Sequence, residues 1–376
     1  MFSKPFNLIL VYVVTVFNMI VLVSPIMAAL FPFVDFKRHV ISIDYNIYQK
    51  IEIIIFILLF LVSFFMLFYM FLDFLFGFSV RSSLKNCVRH EKIKDYDFLS
   101  GIFEQTKKKF GEKNVRLYVK NSDEINAYAV SSFSRRAVVL TRGIINHYLV
   151  ECPDSKQFLN ALRSIMGHEM SHLINKDFLP TFLIMVNQKV TNFVSRILAI
   201  IFTISARIFS FTPYGGRIIS GIITDIYSFI DFLITSFNRY VVYNLYQFLR
   251  KFVSRNIEYR CDMQSAQAFG GQNMALALSM LGEGGYFTIF STHPSTARRI
   301  KRVQEIKIKE RTINPRFVDS LANYLSLMFL VFTCLYFAKK AKVDLMLREY
   351  LRDHSVLKAK ISMLWQLFIK FYHSFF

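Results

Sequence analysis

The sequence predicts a mainly α-helical membrane protein that carries a small α+β domain. Two uncharged apolar runs near the N-terminus predict the membrane part. A later, more polar stretch that mixes helical and alternating periodicity predicts the α+β part. The first run, 6–31, carries no charge and is long enough to cross a bilayer. A signal peptide is the rival reading, but the run is long and no small-x-small cleavage site stands near Ala28, so an uncleaved anchor is expected. A second uncharged run spans 53–72. The chain is 376 residues long, 54% hydrophobic, with 42 Phe, and these runs explain an apolar content that is high for a soluble enzyme.

The net charge is +20. Arg81, Lys85, Arg89, Lys92 and Lys94 follow the second apolar run directly, a placement that the positive-inside rule explains without nucleic acid. It predicts residues from 77 onward in the cytoplasm, 33–50 outside, and a cytoplasmic N-terminus. A bilayer with anionic headgroups accounts for the remaining charge, and no nucleic-acid motif accompanies it. Cys87, Cys152, Cys261 and Cys334 show neither metal nor redox spacing, which argues against a disulfide framework.

Between the apolar runs and residue 181, the pattern predicts an amphipathic helix at 95–110. Short strands are predicted at 115–119, 127–133 and 137–140, with Ser134-Arg135-Arg136 as a turn. Asp154 and Ser155 offer an N-cap for a helix running through His172. Residues 182–249 are apolar but interrupted by Lys189, Arg196, Arg207, Asp225, Asp231 and Arg239, with a turn at 212–217. A soluble helical hairpin and a membrane-embedded one both fit; the membrane reading is the expected one, its charges facing each other or a wet cavity. Helices follow at 251–269, 273–281 and 295–309. A further apolar run at 321–338 can span, and 365–376 looks interfacial.

His168 and His172 stand four apart in "ALRSIMGHEMSHLINKDF". On a helix, that spacing directs both imidazoles at one point, as a shared Zn²⁺ requires. Glu169 is rotated about 100° from His168, so it can reach water at the metal without ligating. Two unrelated histidines in an apolar helix would give the same four-residue signature. A catalytic zinc needs a third protein ligand. The H-x-x-G-x-x-H extension is absent, because "HLINKDF" follows. Asp177 is near in sequence but lies at or beyond the helix end. Glu258 in "SRNIEYRCDMQSA" has Asp262 one turn on, a pattern that suits a ligand with a supporting carboxylate and equally a solvated helix face.

"HEMSH" with "NKD", then "SRNIEYRCDMQSA", then "STHPSTARRI", with "NAYAV" at 126–130 ahead of them, resembles the HtpX group of integral-membrane zinc metalloproteases. These are relatives of the CAAX-prenyl endopeptidases. The resemblance covers roughly residues 1–310 and implies a zincin-type (gluzincin) catalytic domain holding one Zn²⁺ per chain. It implies His168, His172 and Glu258 as ligands, Glu169 as general base, and Asp262 as the carboxylate orienting a ligand histidine. It also implies His293 and Arg299 as the oxyanion-stabilising pair, and Asn126 and Ala127 at the start of a substrate-binding edge strand. Ile257 and Cys261 depart from the family's usual Arg and Ala without removing a ligand.

The expected organisation is two membrane helices in 1–76, catalytic parts at 77–181 and 251–312, a hydrophobic hairpin at 182–250, and a C-terminal extension at 313–376. The expected activity is zinc-dependent endoproteolysis of membrane or misfolded proteins at the cytoplasmic face of a bacterial inner membrane. Cleavage of prenylated C-termini is the alternative enzyme reading, and a non-catalytic zinc-binding scaffold the alternative outside catalysis.

Overall fold

The computed structural model describes residues 45–152, 154–211, 215–237, 243–281, 295–309 and 311–343, with isolated positions within 8–41 and at 240, 345 and 366. It divides into two units. One comprises 1–18 with 68–327, and the other 19–67 with 328–376.

Among the described residues, three helices are long and apolar enough to cross a membrane: Gln49–Phe76, Phe178–Ile208 and Phe317–Lys340. The first is the body of α1 (Tyr45–Phe76) and the last is α11 (Phe317–Lys340). In the smaller unit these two pack through the Phe56 and Phe337 rings, with centroids 6.2 Å apart. A shorter apolar helix covers Val11–Ile20 within the expected first span. The expected interfacial segment 365–376 lies outside the described residues, apart from position 366.

In the larger unit, α1 ends in a buried Asp73 whose carboxylate accepts from the Ser79 backbone N–H at 2.8 Å and its hydroxyl at 3.0 Å. The chain turns there into α2 (Phe78–Ser83). Four strands follow: β1 (Cys87–Arg89), β2 (Val115–Lys120), β3 (Ala127–Ser131) and β4 (Arg136–Thr141). Their spatial order is β1-β2-β4-β3. β4 pairs parallel with β2 and antiparallel with β3. β4 is interior, and its Ala137–Leu140 run is buried on both faces, as a continuous apolar run should be. β2 alternates, with Val115, Leu117 and Val119 buried and Arg116 exposed. Among the described residues β3 has one neighbour and is therefore an edge. β1, with three residues and no alternation, escapes the sequence pattern.

Helices α3 (Phe98–Lys109) and α4 (Arg142–Glu151) pack with the sheet around α5 (Ser155–Ile174). α5 starts as its sequence predicts: Asp154 accepts from the Lys156 N–H at 2.9 Å, satisfying one otherwise orphaned donor. Leu162, Met166 and Met170 point into the core with Leu117, Leu140 and Tyr148. The opposite face of α5 meets α8 (Tyr243–Phe269). A Cβ at Gly167 would lie 2.7 Å from the Phe269 ring and 2.8 Å from Ser265 Oγ. The missing side chain at Gly167 is what lets α8 approach, and Ser265 then donates to the Ser164 carbonyl at 2.6 Å.

The expected hairpin is helical: α6 (Phe178–Ser210) and α7 (Gly216–Phe237) pack along each other. Asn187 on α6 ties the N-terminal helix in place, accepting from Asn18 at 2.9 Å and donating to Thr15 at 2.6 Å. Such polar contacts join helices where lipid leaves no hydrophobic drive for it. The order closes with α9 (Gly271–Met280) and α10 (Thr296–Val303) before α11. The basic helix expected to reach 309 stops at Val303, because the Ile306 carbonyl turns back to accept from the Gly271 N–H at 3.0 Å.

Gly167→Val tests the α5–α8 approach. Removing Gly from a helix gains at most about 1 kcal/mol of propensity, and Val recovers less than that. Overpacking costs on the order of 2 kcal/mol. Thermal unfolding of the detergent-solubilised variant is expected at a lower midpoint than wild type; an unchanged midpoint would show that the helices separate without cost.

Candidate active site

His168 and His172 lie on consecutive turns of α5, buried and half-buried, with Nε2 atoms 3.2 Å apart. Glu258, on α8, brings its carboxylate oxygens to 3.5 Å from His168 Nε2 and 3.7 Å from His172 Nε2. One donor atom from each residue lies within 4.8 Å of the others. A four-coordinate ion with bonds of about 2.0–2.1 Å holds its donors about 3.3 Å apart, so the triad has the dimensions of a zinc-type site.

The outer nitrogens explain why both Nε2 atoms face inward. His168 Nδ1 is 2.8 Å from Asp262 Oδ1, one turn along α8 from Glu258. Asp262 is in turn held by Arg299 of α10, whose Nε and Nη2 each donate to it at 2.7 Å. His172 Nδ1 is 2.9 Å from Asp177 Oδ2. Asp177 also accepts from Arg260, whose other Nη donates to Asp319 Oδ2 at 2.6 Å. Each carboxylate fixes the tautomer with hydrogen on Nδ1, leaving the Nε2 lone pair free for a metal.

Local backbone geometry puts Asp177 there. α5 ends in a Schellman turn: the Asp177 N–H bonds the His172 carbonyl at 3.1 Å and the Lys176 N–H bonds the Leu173 carbonyl at 3.1 Å. Lys176 takes φ +54° to make that reversal, a conformation more natural to glycine. The turn folds Asp177 back over the histidine five residues earlier. A second grouping, His172 with Asp177 and Cys261, also offers three ligand-type side chains. It shares Asp177 with Arg260 and sits at the Nδ1 side, where a hydrogen bond is already made. The Nε2-centred triad is the better metal site.

The electrostatics agree. Burial alone would lower the His168 pKa, but hydrogen bonding to Asp262 and Glu258 outweighs it and holds the imidazole at about 10. His172 is likewise raised well above its ordinary value, burial being outweighed by Cys261 and Asp177. Proton and metal compete for the same lone pairs. Burial pushes the Glu169 carboxyl up, partly offset by the two imidazoles and by the Ala129 backbone N–H. Burial would raise Asp262 too, but Arg299 and His168 keep it below the usual carboxylate range.

A cavity of about 350 Å³ opens on this cluster, lined by Asn126, Ala127, Ala129, His168, Glu169 and Glu258 among others. Thr141 fixes the start of β3 beside it, accepting from the Asn126 N–H at 3.1 Å and donating to its carbonyl at 2.8 Å. A roomier cavity of about 630 Å³, near Arg81, Arg116 and Arg135, holds none of these residues. The structure thus brings together His168, Glu169, His172, Glu258, Asp262, Asn126 and Ala127. Arg299 stands behind Asp262, donating to it from Nε and Nη2, with Nη2 also 3.5 Å from a Glu258 carboxylate oxygen, and is not among the described residues lining the cavity. In that geometry it holds Asp262 in place. His293 lies outside the described residues. Sequence reading weighed Asp177 only as a rival ligand and missed Arg260 and Asp319; the "NKD" following the helix was the available signal for Asp177.

A helix-borne donor triad beneath a small mixed sheet with an open edge defines a zincin-type metallopeptidase domain. The sequence model of Peptidase family M48 matches residues 101–307, more than half of the chain, and the chain belongs to that family. The family includes the HtpX and CAAX-prenyl endopeptidase-like enzymes whose motifs this sequence resembles. With three membrane-length apolar helices among the described residues, the chain is a membrane metallopeptidase.

Two substitutions separate the groupings. Glu258→Ala is expected to abolish stoichiometric metal in dialysed protein. Asp177→Asn is expected to retain metal with roughly 10–100-fold weaker affinity by chelator competition. Complete metal loss from Asp177→Asn with full retention in Glu258→Ala would reverse the assignment.

Proposed function

We propose that this protein is a membrane-embedded zinc endopeptidase that cleaves membrane or misfolded proteins at the cytoplasmic face. The observation that carries the proposal is the convergence of His168 Nε2, His172 Nε2 and the Glu258 carboxylate beside Glu169, at the floor of a cavity bordered by an edge strand. The cluster of Arg81, Lys85, Arg89, Lys92 and Lys94 after α1 supports the cytoplasmic orientation and contact with anionic headgroups.

His168, His172 and Glu258 hold the ion. Zinc, when bound, supplies Lewis acidity that acidifies water and polarises a scissile carbonyl. Glu169 takes the water's proton onto its carboxylate and passes it to the leaving nitrogen; burial raises its pKa, which favours holding that proton between the two steps. Asp262 and Asp177 keep the histidine protons on Nδ1. Arg299 anchors Asp262, while His293 retains its expected role as an oxyanion donor. The backbone from Asn126 and Ala127 onward aligns an extended peptide by strand addition.

Purified wild type and Glu169→Gln, supplied with zinc and an unfolded protein substrate in detergent, provide the test. Glu169→Gln is expected to keep its metal and lose on the order of 10²–10⁴-fold in turnover. Equal cleavage by the two proteins sinks the mechanism.

A further inference from the structure

We infer that Asp319, in the first turn of the membrane helix α11 and beyond the end of the family match, is a positioning residue for the metal centre, acting on His172 through Arg260 and Asp177. The inference rests on the reading of His172 as a metal ligand.

The connection is continuous and buried. Asp319 Oδ2 accepts from one Nη of Arg260 at 2.6 Å; the other Nη of Arg260 bonds Asp177; and Asp177 Oδ2 lies 2.9 Å from His172 Nδ1. The Arg260, Asp177 and Asp319 side chains are 3%, 8% and 9% exposed. An acid in the first turn of a helix has a simpler use, since it complements the helix dipole when exposed. Asp319 is not exposed, and burying a carboxylate is costly unless it is closely paired. Its pairing with Arg260 therefore determines where it sits.

The two ligand histidines are supported unequally. Asp262 receives two donors from Arg299 and needs no further help to be oriented. Arg260 divides its fork between two carboxylates, so its position relative to Asp177 is set only when Asp319 holds the opposite edge. Asp319 also shares the guanidinium charge. Without it, that charge falls on Asp177 alone, weakens Asp177 as an acceptor for His172 Nδ1–H, and lowers the basicity of His172 Nε2.

The chain leading into α11 is fitted for this placement. Ile313 is buried in the core, and its N–H bonds the Lys109 carbonyl at 2.9 Å. The Asn314 carbonyl accepts from Gln264 at 3.1 Å, and the Arg316 N–H donates to Asn175 Oδ1 at 3.0 Å. Asn323 donates to the Asn175 carbonyl at 3.3 Å. Asn175 is the C-cap of α5, two residues before Asp177. The segment thus grips the end of the metal helix from which Asp177 hangs.

The test is metal affinity of the full chain in detergent, read by competition with a chromogenic chelator, with the visible spectrum of the Co²⁺ form as a second readout. Asp319→Asn is expected to weaken metal binding on the order of 10-fold and shift the Co²⁺ bands, and Asp319→Glu to recover most of the affinity. If Asp319 acts through Asp177, the double variant Asp177→Asn/Asp319→Asn binds no more weakly than Asp177→Asn alone. Arg260→Lys keeps the charge but loses the fork; it is expected to match Asp319→Asn and carries the test should that variant fail to fold. Wild-type affinity in Asp319→Asn or Arg260→Lys, or fully additive losses in the double variant, would overturn the inference. His172→Ala with undiminished affinity would instead overturn the ligand assignment beneath it.

Discussion

The site depends on which nitrogen of each histidine carries hydrogen. Two imidazoles four residues apart on a helix can turn their rings in many ways, and only one arrangement presents both Nε2 lone pairs to a common point. Asp262 and Asp177 select it by accepting from Nδ1. Neither aspartate is free to turn, because a buried arginine grips each one. Much of the surrounding structure serves that arrangement: Gly167 lets α8 come close enough to bring Glu258 and Asp262, and the turn after α5 swings Asp177 back.

This accounts for the concentration of buried charge in a small domain. Glu169, Glu258, Asp262 and Asp319 are all buried, as are Arg260 and Arg299. Such a cluster is a poor source of stability, since desolvating each charge costs about as much as its partner returns. Acids outnumber arginines around two imidazoles, an imbalance that a divalent cation corrects. The cluster is therefore electrostatically suited to a divalent cation, and the same surroundings raise the pKa of both histidines.

How much of this was legible in the sequence follows from the range of each interaction. His168, Glu169 and His172 are fixed by helical periodicity alone, and Asp154 announced the start of their helix. The strands at 115–120, 127–131 and 136–141 were visible as alternation or an apolar run. Glu258 and Asp262 share a helix face, but no local rule brings that face to α5; the family's motif order supplied the link. Arg299 was assigned to the oxyanion by the same motif order, yet its forked bond to Asp262 forms between separate helices and has no local signature. Arg260 and Asp319 were invisible for that reason: their partners lie 83 and 59 residues away. Lys176 was hidden differently, since nothing in a lysine signals a left-handed backbone.

The proposed alignment of substrate along the edge strand β3 has a consequence for what this protein would cut. Among the described residues β3 is paired on one side, leaving backbone groups of five residues facing the other. A chain pairing with that edge must present its own N–H and C=O groups sideways, which a helix cannot do because its groups are already bonded along its axis. Segments of membrane helices would have to unwind first, and in lipid that exposes unsatisfied backbone at several kcal/mol per group. Choice among substrates would then turn less on side-chain identity than on how readily a helix end frays at the membrane surface, so the local stability of the target, more than any motif in it, would set the order of cleavage.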